Sequence, residues 1–472
     1  MTDLYYRPAV ELAALLRARE ISARELVDAH LERIDRTNGV VNAMVTLCAE
    51  RAMAEAAAAD EDLVHGVDVG PLHGLPIAVK DTHATAGVRT TQGSPLFAEF
   101  VPDADELLVE RERSAGAIVV GKSNVPEFAA GSHTMNPVFG ATRNPYDRTR
   151  SAGGSSGGGA AALACGMVPL ADGSDMGGSL RNPGSFCNVV GFRPSPGRVP
   201  SWPSVTPWAT LGVQGPLGRT VADAALLLSV QAGPDPRSPI AIDEPGADFR
   251  PPLDSDVSGL RLAWSPDLGG TVAVEPAVTE ALERRLGVFA DLGCTVAQAC
   301  PDFTGAETVF RTLRAWQFEL ALGALRDRHA DRMKATLVWN IDVGRALRGT
   351  DIAHAEQLHA QLFHRMRLFF RDYDALLLPV SQVPPFDLEL EYPTAVAGVP
   401  SETYLDWMRS AYFVSVTGSP AISVPAGFTT DGLPVGLQIV GPHRDDLGVL
   451  RLAHAFEQAT HASDVRPDLR IA

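Results

Sequence analysis

Helix-like and strand-like segments alternate along this chain, and that alternation predicts a layered α/β protein. Two further observations agree. The 472 residues are 45% hydrophobic with a mean hydropathy of +0.02, enough apolar material for a large core. The densest Gly/Ser stretch, residues 151–197, is interleaved with the apolar runs AALAC, GMVPLA and FCNVVGF, so it reads as packed core and not as flexible linker. Length by itself leaves one, two or three domains open.

The opening is helical. Residues 8–36 place apolar side chains at helical spacing, and Ser22 with Glu25 forms a capping box that starts a second helix. An Ala-rich helix is expected over 40–63. PLHGLPIAVKD then turns into a short buried strand, Leu75 to Val79, with Lys80 at its end. Leu107 to Arg113 reads as a helix and AGAIVVGKS as an apolar strand. Beyond the Gly/Ser core, residues 236–258, with several Pro and Asp, read as a surface excursion, 275–293 as an amphipathic helix and CTVAQA as a strand. Helices over 305–330 and 351–372 precede the strand DALLLPV, and PAISVPAGFTTDGLPVGLQIVG restores the α/β rhythm.

Charge and cysteine usage exclude several functions. A net charge of -17, with no block of Lys and Arg, argues against a nucleic-acid partner. No apolar run approaches the roughly 18 residues of a membrane span. The N-terminus lacks a secretory pattern, so a cytoplasmic location is expected. Cys48, Cys165, Cys187, Cys294 and Cys300 are odd in number and lack a C-x-x-C pair, which argues against a disulfide framework or a zinc ribbon. His354, His359 and His364 recur every five positions and scatter around a helix, so no metal site is expected.

The Gly/Ser segment admits several chemistries. A phosphate cradle needs a Lys after its second Gly, and no Lys lies between Lys122 and Lys334. Gly153 to Gly157 match the nucleophile elbow G-x-S-x-G around Ser155, yet the preceding TRNPYDRTRSA is polar and not a buried strand. Asp175 to Ser179 offer a third reading, in which consecutive N–H groups surround a serine and can hold an oxyanion. Ser179 then attacks, the N–H groups of Met176, Gly177, Gly178 and Ser179 stabilise the charge, Ser155 relays the proton and Lys80 accepts it if burial keeps its amine neutral.

GGSSGG at 153–158, GSDMGGSLRNP at 173–183 and GLPIAVKD at 74–81 resemble the amidase signature family, in the same order and with similar spacing. GKSNVPEF (121–128), GATRNPYD (140–147), GPLGRTVAD (215–223), PAISVPAGF and DGLPVGLQIVG extend the resemblance over residues 8 to 460. It implies a single domain over 1–472, with a mixed sheet covered on both faces by helices, a helical segment at about 1–65 and a catalytic core at about 74–220. It also implies a Ser–cis-Ser–Lys triad of Ser179, Ser155 and Lys80, with no cofactor. Met176, Leu180 and Asn188 depart from the family's usual residues and bear on pocket shape only.

Around the triad, Asp175 and Arg181 are expected to orient the nest or form a plain ion pair, and Ser156 and Ser174 to hold Ser155 and Lys80. Glu127, Phe128, Ser132, His133, Thr134, Trp202 and Trp208 are expected to line the pocket. No Arg or carboxylate handle for a charged substrate stands out. The expected activity is hydrolysis of a neutral hydrophobic or aryl amide, with esters and carbamates alongside, by a monomer or homodimer. The alternatives are a glutamine-hydrolysing component of a tRNA-dependent amidotransferase and a catalytically silent binding module.

Overall fold

The computed structural model describes residues 4–469, so three residues at each end of the expected 1–472 domain lie outside it. Eleven strands form one mixed sheet: β1 (Met44–Leu47), β2 (Pro76–Lys80), β3 (Ile118–Ser123), β4 (Leu170–Asp175), β5 (Val190–Arg193), β6 (Val213–Gly218), β7 (Arg261–Trp264), β8 (Thr295–Gln298), β9 (Ala375–Pro379), β10 (Ala421–Phe428) and β11 (Pro434–Val440). Their spatial order is β1-β3-β2-β4-β6-β5-β10-β11-β9-β7-β8. β3, β2 and β4 run parallel, as do β9, β7 and β8, and antiparallel pairings join the rest.

Every residue of β2, β3, β9 and β11 is buried. Successive side chains of a strand point to opposite faces, so full burial requires a cover on both. β9 shows it directly: Ala375 and Leu377 belong to one apolar cluster, Leu376 and Leu378 to another. The sheet is thus covered on both faces, as expected.

The capping box at Ser22 and Glu25 is present and starts the helix Ala23–Val41. Residues 44–47, expected to be helical, instead form the edge strand β1. Asn42 adopts a left-handed conformation, and the Asn38 side chain bonds the N–H groups of Ala43 and Met44 and the carbonyl of Met44, which ends the helix and turns the chain before Ala49–Val64 begins. The 275–293 segment is two short helices, Pro276–Glu283 and Gly287–Asp291. The excursion at 236–258 is irregular but pinned by buried Ile242, Phe249, Leu253 and Val257. All five cysteines are free, and Cys165 and Cys187 sit in the core.

Candidate active site

Lys80 ends β2 in the interior, and its side chain is fully buried. Its backbone N–H donates to Asp172 Oδ1 (2.6 Å), and its Nζ donates to Ser155 Oγ (2.8 Å) and Ser174 Oγ (2.9 Å). Burial pushes the amine down to about 7, although Asp172, Asp175 and Glu106 act in the opposite direction. Near neutral pH a large share of this lysine is uncharged and can accept a proton.

Ser155 precedes the helix Gly157–Ala164, and the Gly154–Ser155 peptide is cis. Ser132 Oγ donates to the Gly154 carbonyl (2.5 Å) and accepts from Asn182 Nδ2 (2.9 Å), which fixes this peptide from outside. The helix is wholly buried, and its sequence GGGAAALA explains how. A Cβ on Gly158 would lie 2.2 Å from the Asn124 nitrogen, and one on Gly157 would lie 2.3 Å from Thr134 Oγ1. Small residues let this helix sink between neighbouring segments and set the Ser155 hydroxyl beside Lys80. Ser156 does not steady that pair as expected. Its Oγ has no hydrogen-bond partner among the described residues and lies against Gly173, so it packs instead.

The nest around Ser179 is tied down by Asp175. Arg181 clamps both carboxylate oxygens, with Nε to Oδ2 at 3.0 Å and Nη2 to Oδ1 at 2.9 Å, and Arg193 adds a further contact at 3.3 Å. Burial alone would favour the neutral acid, but the two guanidinium groups and the Gly178 N–H more than offset it and hold the carboxyl well below its usual range. The orienting role and the ion pair expected for Asp175 and Arg181 are therefore one arrangement.

That arrangement corrects the expected oxyanion donors. The Gly178 N–H donates to Asp175 Oδ1 (2.9 Å) and is turned inward. Among the described residues, the N–H groups of Met176, Gly177 and Ser179 have no hydrogen-bond partner, and all three residues line the cleft. Gly178 has φ of 111°, and a Cβ there would lie 2.6 Å from Asn182 Nδ2, so the turn requires glycine. The Ser156 N–H donates to the Ser179 carbonyl (3.1 Å), tying the two serine loops together.

The cleft brings together Ser155, Ser174 and Ser179 under a wall of Phe128, Met176, Phe310, Phe318 and Met408. Of the pocket residues expected from sequence, only Phe128 lines it; with Ala129 it adopts a left-handed backbone (φ 49° and 55°) at the rim. Glu127 is buried away from it, accepting from Ser94 Oγ (2.7 Å) and the Lys334 N–H (2.7 Å). Ser132 supports the Gly154 carbonyl, His133 bonds Ser151 Oγ and the Leu388 carbonyl, and Thr134 accepts from the Gly157 N–H, so these three brace the Ser155 loop. Trp202 packs under Arg237 and Trp208 is 74% exposed, and neither reaches the cleft. Their loop contributes Ser201 and Gly212 instead, followed by Val213 and Gln214.

A family model described as Amidase matches residues 25–450. The chain belongs to the amidase signature family. Among its relatives is an acylamidase of Rhodococcus erythropolis, 35% identical over 468 residues and 98% of each chain. A glutamyl-tRNA(Gln) amidotransferase subunit from Synechococcus sp. (strain CC9605) is also 35% identical, over 96% of each chain. A bacterial aryl acylamidase of the amidase signature family superposes with a TM-score of 0.89 at 28% identity, covering 97% of this chain and 98% of that one. This amidase is an amide-hydrolysing enzyme with the fold of its family.

Sequence reasoning missed the cleft residues Phe310, Arg314 and Phe318. They recur every fourth position on the helix Ala306–His329 and so share one face, a signal visible in sequence but indistinguishable there from a core stripe. Among the described residues, no helix is long and apolar enough to cross a membrane.

Proposed function

We propose that Ser179 is the nucleophile, Ser155 the proton relay and Lys80 the terminal base in the hydrolysis of a small hydrophobic or aryl amide. The observation that carries this reading is the 2.8 Å hydrogen bond between a fully buried amine, pushed down to about 7, and a hydroxyl on the cleft. Ser179 Oγ attacks the carbonyl carbon while its proton passes to Ser155, whose own proton moves to neutral Lys80. The oxyanion is held by the N–H groups of Met176, Gly177 and Ser179. Ser155 then protonates the leaving nitrogen, the amine departs, and water releases the acid from the acyl-enzyme by the reverse route. The Phe128, Phe310 and Phe318 wall and the acylamidase relatives support an apolar or aryl substrate. Esters and carbamates are served by the same acyl-enzyme chemistry.

The test is a matched nitroanilide, nitrophenyl ester and nitrophenyl carbamate panel with wild type, Ser179→Ala and Ser155→Ala. Ser179→Ala should lose all turnover and all labelling by a fluorophosphonate. Ser155→Ala should lose about 100-fold or more on the anilide and much less on the ester, whose leaving group needs no proton. Turnover retained by Ser179→Ala, or equal losses by Ser155→Ala on both substrates, would refute the assignment.

The amidotransferase components among the relatives favour a second reading, glutamine hydrolysis within a larger assembly. Anilide turnover by the isolated chain, with glutamine untouched in the presence of tRNA, would exclude it.

A further inference from the structure

The cleft wall holds a cation with no carboxylate within 4.0 Å among the described residues. Of the buried arginines among the described residues, Arg181, Arg193 and Arg198 each have a carboxylate within 4.0 Å, and Arg314 has none. Arg314 is 4% exposed and lines the same cleft as Ser155 and Ser179. Its Nη2 donates to Tyr404 Oη (2.7 Å), which in turn donates to Asn340 Oδ1 (3.2 Å). Its guanidinium lies over Phe318 at 4.0 Å and near the Tyr404 ring at 5.6 Å. One Nη2 hydrogen is thus engaged. Among the described residues, Nη1 has only Met176 Sδ at 3.8 Å and Nε has no partner, so the second Nη2 hydrogen with either neighbour completes a two-donor edge. Asp175, the acid that also lines the cleft, is already engaged by Arg181 and Arg193.

A buried guanidinium with five donors and no counter-ion is strongly unfavourable unless something accepts its protons. We propose that Arg314 is a specificity-determining residue that receives a carboxylate of the substrate, carried on the apolar or aryl body a few bonds from the scissile amide. Its planar fork suits two parallel hydrogen bonds to a carboxylate, and the aromatic surfaces beside it exclude water that would weaken them. The inference rests on the reading of Ser179 as nucleophile in this cleft, and it replaces the wholly neutral substrate expected from sequence with an amphipathic, anionic one.

Two matched pairs place the carboxylate on either side of the amide. On the acyl side they are the mono-4-nitroanilide of glutaric acid and the 4-nitroanilide of pentanoic acid. On the amine side they are 4-acetamidobenzoate and 4-acetamidobenzamide. Wild type should prefer the carboxylate in one pair by about 30-fold or more in kcat/KM. Arg314→Met should erase that preference, its loss appearing in KM and exceeding the loss on the neutral partner at least tenfold, with Arg314→Lys intermediate. Equal kcat/KM within both pairs for wild type would overturn the proposal, as would an equal loss on both members in Arg314→Met, which marks a structural role. If Arg314→Met does not fold, Arg314→Lys decides on the same criterion. Fluorophosphonate labelling of Ser179 separates the two levels: labelling without a carboxylate preference overturns this inference alone, and no labelling overturns the underlying reading and this inference with it.

Discussion

The proposed role of Lys80 as terminal base predicts the pH dependence of turnover. With its amine at about 7 and the neutral form required, about half the enzyme is competent at pH 7, ~10% at pH 6 and nearly all at pH 9. In the kcat/KM of a neutral nitroanilide this is a tenfold fall per pH unit below ~6, an inflection near 7 and a plateau above ~8. A lysine left at its ordinary 10.5 would give no plateau below pH 10. Asp172 sits at the Lys80 backbone and favours the charged amine, so Asp172→Asn, which keeps the acceptor and removes the charge, should move the inflection down by about one unit. The same burial has a cost in stability. The folded-state value lies below the unfolded one, so the protonated amine is penalised fully below pH 7 and the penalty is relieved as pH rises from about 7 to 10.5. The difference corresponds to ~5 kcal/mol, so Lys80→Met should unfold at higher temperature than wild type at pH 6, with no activity. A wild-type profile rising steadily to pH 10, or an inflection unmoved by Asp172→Asn, would refute the reasoning.

Asp175→Asn leaves Arg181 and Arg193 buried against a neutral amide and should cost ~3–5 kcal/mol, read as a lowered denaturation midpoint at pH 7. Because this carboxyl titrates below its usual range when folded, its contribution is present at neutral pH and starts to fade only on acidification below ~4, so the gap between wild type and variant should narrow from there and close only once pH falls through the folded-state value. Phe318→Ala should raise KM for an aryl anilide about tenfold with kcat little changed, whereas Trp208→Ala should leave both within about twofold. The reverse pattern would return the Trp-bearing loop to the substrate.

Local sequence carried much of the site. Lys80 at the end of an apolar strand, glycines packed around Ser155 and a carboxylate preceding the Ser179 nest are patterns whose physics is short-range: a buried strand end, a helix with no side chains to hold it off the sheet, a turn with positive φ. The capping box at Ser22 was legible for the same reason. What sequence could not supply is which surfaces meet. Ser132, His133 and Thr134 lie close to Ser155 along the chain, yet their hydrogen bonds turn them behind the loop. Trp202 and Trp208 look like a substrate wall until the fold leaves them outside. Phe310, Arg314 and Phe318 come from a helix more than a hundred residues downstream of Ser179, and only long-range packing distinguishes a cleft face from a core face. A run of glycines says nothing about direction, so sequence offers the Gly178 N–H as a donor to substrate, and it is the Asp175 carboxylate, pinned by two arginines from separate elements, that turns it inward. Composition and periodicity determined the α/β class and motif spacing the candidate reacting groups, because both rest on interactions between near neighbours in the chain. The shape and charge of the cleft were decided by tertiary structure, because they depend on which distant side chains are left without partners once the core has closed.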